Sequence, residues 1–137
     1  MEKQPNDDLC RIATMYIATY MERLFGGYDG LFVSLVAFIS IDYITGIISA
    51  VIAKKLSSRK GAIGLVKKIG ILCIIALTTI IEKNILQTSA LRNAVVLYYI
   101  SNEGISILEN LCKIGVPVPK ILRNTLESFK DEDEKET

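Results

Sequence analysis

Residues 31–53 read LFVSLVAFISIDYITGIISAVIA, a stretch of twenty-three positions with a single charged side chain, Asp42. A helix over this stretch rises 1.5 Å per residue and is roughly 34 Å long, enough to cross a hydrocarbon core of about 30 Å. That run sets the fold class: an all-α integral membrane protein. The rest of the chain agrees. Half of its 137 residues are apolar and the mean hydropathy is +0.37, yet 23% are charged. The charges lie at the edges of apolar runs instead of being mixed through them, which is not the pattern of a soluble helical bundle.

Within 31–53, Asp42, Thr45 and Ser49 recur at helical spacing. Gly46 and Ala50 form a small-x-x-x-small pair that lets two backbones approach closely in lipid. This predicts a side of the helix built for packing. Beyond it, residues 54–68 hold Lys54, Lys55, Arg59, Lys60, Lys67 and Lys68 and no acid. With Ser57, Ser58, Gly61 and Gly64 among them, the segment reads as a basic loop, which the positive-inside rule puts in the cytoplasm. A basic patch bracketed by membrane spans does not suit nucleic acid, and the net charge of +1 gives such a partner no support.

An uncharged run over 69–81 follows, then Glu82, Lys83 and Asn84, so a second span near 69–87 is expected. A third, 91–111, is apolar at first. Then Asn102, Glu103, Ser106, Glu109, Asn110 and Lys113 follow at spacings of three and four, opposite Ile100, Gly104, Ile107, Leu108 and Leu111. In a bilayer that polar face must meet protein or water, because a charged side chain at mid-depth costs at least about 2.5–3.5 kcal/mol on insertion scales. Three readings follow for Asp42, Glu103 and Glu109: helix packing through hydrogen-bonded acids, a proton or cation relay, or the lining of a pore enclosed by several copies. Arg92 and Lys113 are the candidate basic partners.

The N-terminal residues 1–28 contain Leu9, Ile12, Ala13, Tyr16, Ile17, Tyr20 and Leu24 at helical spacing. They predict an amphipathic helix capped by Asn6, Asp7 or Asp8, ended by Gly26 and Gly27, and lying on the membrane or against a partner helix. The transmembrane domain is expected over 29–114. Residues 115–137 begin with Gly115, Pro117 and Pro119, which stop the third helix, and form a charged tail: a short helix fraying into a solvated end. The polar, acidic start does not resemble a cleavable signal peptide. Lys and Arg number three before the first span, six in the first loop, two over 82–93 and five beyond residue 111. With three spans, this puts the N-terminus outside and the C-terminus in the cytoplasm.

Catalysis and metal binding have little to stand on. Histidine is absent, which removes the commonest general base and metal ligand, and Cys10, Cys73 and Cys112 lie far apart without a C-x-x-C pair. They read as reduced thiols, Cys73 as a small apolar residue. No enzyme, cofactor or metal site is expected.

Several blocks together resemble a known family: Asp42-Tyr43-Ile44-Thr45-Gly46 with Ser49-Ala50, Lys54-Lys55 with Ser57-Ser58 and Gly61, and Gly64 to Lys67-Lys68. The most specific is Asn102-Glu103-Gly104-Ile105-Ser106-Ile107-Leu108-Glu109-Asn110 followed by Gly115-Val116-Pro117-Val118-Pro119-Lys120. These are similar to the toxin-secretion and phage-lysis holin family over residues 31–126. The resemblance implies a phage-encoded or prophage-derived protein of Gram-positive hosts. Such proteins oligomerise in the cytoplasmic membrane and open lesions through which an endolysin or a toxin leaves, without necessarily touching that cargo. It also implies that Asp42, Gly46, Glu103, Ser106, Glu109 and Asn110 serve assembly or pore lining. The alternatives are a small proton-coupled transporter or ion channel using the intramembrane acids, and a non-conducting anchor that recruits a partner through its basic loop and tail.

Overall fold

The computed structural model describes residues 5–88 and 90–135, with side chains from residue 7 to residue 129 apart from residue 89. The described residues are helical: α1 Pro5–Phe25, α2 Gly30–Ile52, α3 Ser58–Ile81 prolonged by a π-helical turn Glu82–Leu86, α4 Ala90–Lys113 and α5 Lys120–Lys135. The last two positions of the charged tail, and the side chains from residue 130 onward, lie outside the described set.

α2 starts where the sequence supplies a cap. Asp29 is extended and its carboxylate accepts the Phe32 amide at 2.9 Å, satisfying one of the donors that every helix start leaves open. It ends in a tight reversal in which Lys54 takes φ +54° and the Lys55 amide donates back to the Ala50 carbonyl at 2.9 Å. α1 begins at Pro5, earlier than its acids suggest, so Asp7 and Asp8 lie in its first turn. It closes with Gly26 at φ +81°, and a Cβ there would stand 2.7 Å from the Arg92 Nε. Only glycine suits both demands.

α3 corrects the expected basic loop. Gly61 and Gly64 do not break it; the helix runs unbroken from Ser58 through the apolar run and into the π turn. Both glycines lie beside Tyr43, where an added Cβ would stand in ordinary contact, 3.8 Å from its hydroxyl at Gly61 and 3.9 Å from its ring at Gly64. Of the basic residues, Lys54 and Lys55 alone belong to the α2–α3 turn, whereas Arg59, Lys60, Lys67 and Lys68 are carried on α3.

α2 and α4 run parallel and share the main packing seam, with α3 antiparallel against them. Phe32, Leu35, Ile71, Ile75, Val96 and Ile100 form the apolar centre. Two helical stretches, Gly30–Ile52 and the continuous Ser58–Leu86, are long and apolar enough to cross a membrane, and only 22% and 17% of their most apolar windows are buried within the chain. A core helix of a soluble protein would hide most of that surface; here Val33, Ile41, Ile44, Ile74 and Leu77 point outward. Cys73 shares this outer side, and all three cysteines are free and exposed. Because lipid tails are as apolar as leucine, this chain is held together by close packing and polar contacts more than by apolar burial.

On α4 the expected apolar face packs within the chain. Ile100, Gly104 and Leu108 are buried inside the chain and do not meet lipid. α5 turns back along α4 and sets Leu126 over Gly104, where an added Cβ would come within 2.8 Å of Leu126 and 3.0 Å of Phe38. The beginning of the tail is thus a docked amphipathic helix. α1, by contrast, leaves Leu9, Met15, Tyr16, Ile17 and Tyr20 more than 60% exposed and touches the bundle mainly through its C-terminal end.

Candidate functional site: a buried charge cluster and a basic cleft

Asp42 is at the middle of α2 and Glu103 at the middle of α4, and Lys68 reaches both from α3. Its ammonium donates to Asp42 at 2.6 Å and also to Glu103. The side chains of Lys68, Asp42 and Glu103 are 14%, 10% and 4% exposed, so three charges are paired in the interior instead of facing lipid. Asn110, seven residues and about two turns beyond Glu103 on α4, completes the cluster by donating to Asp42 at 3.2 Å and to the Thr45 hydroxyl at 3.3 Å. Gly46 lies beside it: a Cβ there would stand in ordinary contact, 3.6 Å from the Asn110 amide nitrogen. The small residue in α2 is used within the chain, for the α2–α4 seam.

The expected polar face of α4 divides in two. Glu103 and Asn110 are seven residues apart and buried, while Asn102 and Glu109, also seven apart, are exposed. Each pair is offset from the other by one residue, about 100° around the helix, so one pair turns to α2 and α3 and the other turns out. Ser106 lies between them, half-buried. Asn102 and Glu109 form no hydrogen bond or ion pair with any described residue.

Ser106 and Asn110 line a cleft of about 350 Å³ between α2, the start of α3 and α4. Its inner end is Asp42 and Lys68; Gly46 and Ala50 form part of one wall, and Lys55, Lys60 and Lys67 stand around its mouth at the α2–α3 turn. Lys54 and Arg59 are exposed and outside it. Among the described residues no group of three potential metal-ligating side chains occurs.

A second polar cluster ties the other end of the seam. Arg92, 5% exposed, donates from Nε to the Phe25 carbonyl at 2.7 Å and from its guanidinium to the Asp29 carboxylate at 2.7 Å. Its backbone amide is accepted by Glu82 at 2.9 Å, so the π turn caps α4. The Arg92 hydrogen bond holds the Asp29 carboxyl below its ordinary range, helped by the Phe32 amide and opposed by partial burial. Arg92 thus pairs with Asp29 and not with the mid-helix acids, and Lys68 takes the part expected of Arg92 or Lys113. Sequence reasoning missed Lys68 because the glycines masked the helix that carries it. Its place as the last basic residue before 69–81 was the available signal.

Outward apolar helices around paired interior charges define a small helical membrane protein. The profile of the bacteriophage holin family matches residues 19–131, and the chain belongs to that family. It is 37% identical over 114 residues to a probable holin of Bacillus phage phi105, covering 83% of this chain and 84% of that one. It is 41% identical over 131 residues to an uncharacterised protein of Listeria innocua, covering 93% and 94%. With an uncharacterised protein of Clostridium perfringens it shares 34% over 125 residues, covering 90% and 92%. No solved structure matches.

Proposed function

We propose that the chain is a holin that oligomerises in the bacterial cytoplasmic membrane and opens lesions that release an endolysin or a toxin, leading to lysis. The observation that carries this reading is the outward stripe of Asn102 and Glu109 on α4, which no described residue pairs. A carboxylate facing lipid at that depth is costly, and a neighbouring copy or water relieves it. Copies arranged in a ring place this stripe toward a shared aqueous lumen, while the Asp42–Lys68–Glu103 cluster braces each copy internally. Membership of the family and the phi105 relative's printed name support a non-enzymatic holin role. In this reading α4 becomes the third span on assembly, and the five exposed basic residues over 54–67 keep the α2–α3 turn and the C-terminus in the cytoplasm, with the N-terminus outside.

The buried charge trio favours a second reading, a proton-coupled carrier or narrow ion channel. Release of size-graded fluorescent dextrans from liposomes, at rising protein-to-lipid ratio, separates the two. Large dextrans escaping above a steep threshold are the holin's result; leakage restricted to protons or small ions is the carrier's, and assembly without leakage leaves an anchor.

A further inference from the structure

The cleft between α2 and α3 has features that neither the lesion nor the buried trio uses. Lys55, Lys60 and Lys67 surround its mouth, and their ammonium groups make no ion pair or hydrogen bond with any described residue. Ser57, the residue before α3, gives no side-chain cap, so the open amides of that helix start add positive potential at the same mouth. The volume, about 350 Å³, is that of roughly a dozen waters at about 30 Å³ each, room for a hydrated phosphodiester. Ile47 and Leu56 line the cleft beside the lysines, and Ile44, Ile48 and Ile63 continue an exposed apolar surface on the outer sides of α2 and α3.

We infer that this cleft binds the phosphate head group of an anionic phospholipid. The three free ammonium groups hold the phosphate, and the acyl chains lie on the apolar surface outside. A free phosphate would satisfy the lysines but leave that surface unused; an amphipathic anion uses both. Basic pockets between membrane helices on the cytoplasmic side bind such head groups by the same combination of charge and fit. The site rests on the membrane reading and not on lesion formation, since lipid occupancy is read whether or not vesicles leak.

The test is native mass spectrometry of the full chain in detergent, with dioleoyl-phosphatidylglycerol or dioleoyl-phosphatidylcholine added. The cleft pair Lys60→Gln/Lys67→Gln is compared with Lys54→Gln/Arg59→Gln, a pair of equal charge outside the cleft. One basic residue near an anionic surface is worth a factor of about five, so the cleft pair should lower phosphatidylglycerol occupancy at least about tenfold and the outer pair less than about twofold. All four residues are exposed, so neither pair threatens folding. Equal losses in the two pairs would reduce the site to diffuse surface charge. Equal retention of phosphatidylcholine would remove head-group recognition, and full displacement of the lipid by millimolar inorganic phosphate would make this a free-phosphate site. Dextran retention with intact lipid selectivity would overturn the proposed function and leave the lipid site in place.

Discussion

The α2–α4 seam carries a charge cluster near each of two levels, and they are built differently. Arg92 sits at the chain-reversal end, where a guanidinium can collect the Phe25 and Gly27 carbonyls and a carboxylate, Asp29, that is 46% exposed. Lys68 sits mid-helix between two acids, all three nearly out of contact with solvent. The first cluster fastens loops to a helix start and has water at its edge. The second sets the mutual depth of α2, α3 and α4; Asp42 and Lys68 meet the inner end of the cleft, and Glu103 lies behind them. Removing a charge therefore has different consequences at the two levels, because an orphaned carboxylate can rehydrate beside Asp29 but not beside Glu103.

The largest expected effect is at the interior cluster. Lys68→Met leaves two acids facing each other without a cation and should destabilise the chain by about 3–5 kcal/mol, the range for breaking a buried pair. Thermal unfolding in micelles measures it. Adding Asp42→Asn and Glu103→Gln to Lys68→Met removes the orphaned charges and should recover most of the loss; a triple variant no more stable than Lys68→Met would mean that the lysine acts by its size and not its charge.

At the other level, Arg92→Lys keeps the charge but loses the fork that reaches Phe25, Gly27 and Asp29 together. A loss of about 1–3 kcal/mol is expected, since buried carbonyls then lack a donor. An unfolding midpoint equal to that of the wild type would show that one ammonium serves as well, and that the two clusters are alike in kind.

The smallest effect is pH dependence. Asp29 has its folded-state pKa depressed, chiefly by Arg92, so the charged form is favoured by folding. The stability it contributes is complete above the unfolded carboxylate value of about 4 and is lost as pH falls through the lower folded value. Comparing the decline in unfolding midpoint below pH 4 for the wild type and Asp29→Asn isolates this contribution from the other acids. The variant should decline less steeply, and because Asp29 is half in water the difference is small. Identical slopes would mean that the pair with Arg92 adds nothing to stability.

How far the sequence could be read follows the same division. α2 was legible because a long run with one charge has few alternatives, and Asp42 stood out in it as the one acid needing a partner. Lys68 was not, because local rules treat Gly61 and Gly64 as breakers, whereas here both lie beside Tyr43 within a helix that continues. The polar residues of α4 were legible as a face, but a one-residue offset decides which pair turns inward, and periodicity cannot fix where a broad face is divided. Glu82 read as the end of a span; its role as the cap on α4 depends on a π turn and a reversal at Gln87, φ +54°, that propensity does not foresee. The charged composition of α5 suggests a solvated end, and nothing local shows that it returns along α4 with Leu126 buried over Gly104.

Labelling with a membrane-impermeant maleimide tests whether the outward stripe of α4 lines the lesion. Cys10, Cys73 and Cys112 are first replaced by serine, and a single cysteine is placed at Asn102, Glu109 or the fully buried Ser101 in liposomes below and above the dextran-release threshold. Labelling at positions 102 and 109 that rises with release, while position 101 stays protected, is the predicted result. Labelling at 101 but not at 102 or 109 in leaking vesicles would contradict it, placing the inner seam and not the outer stripe at the water path.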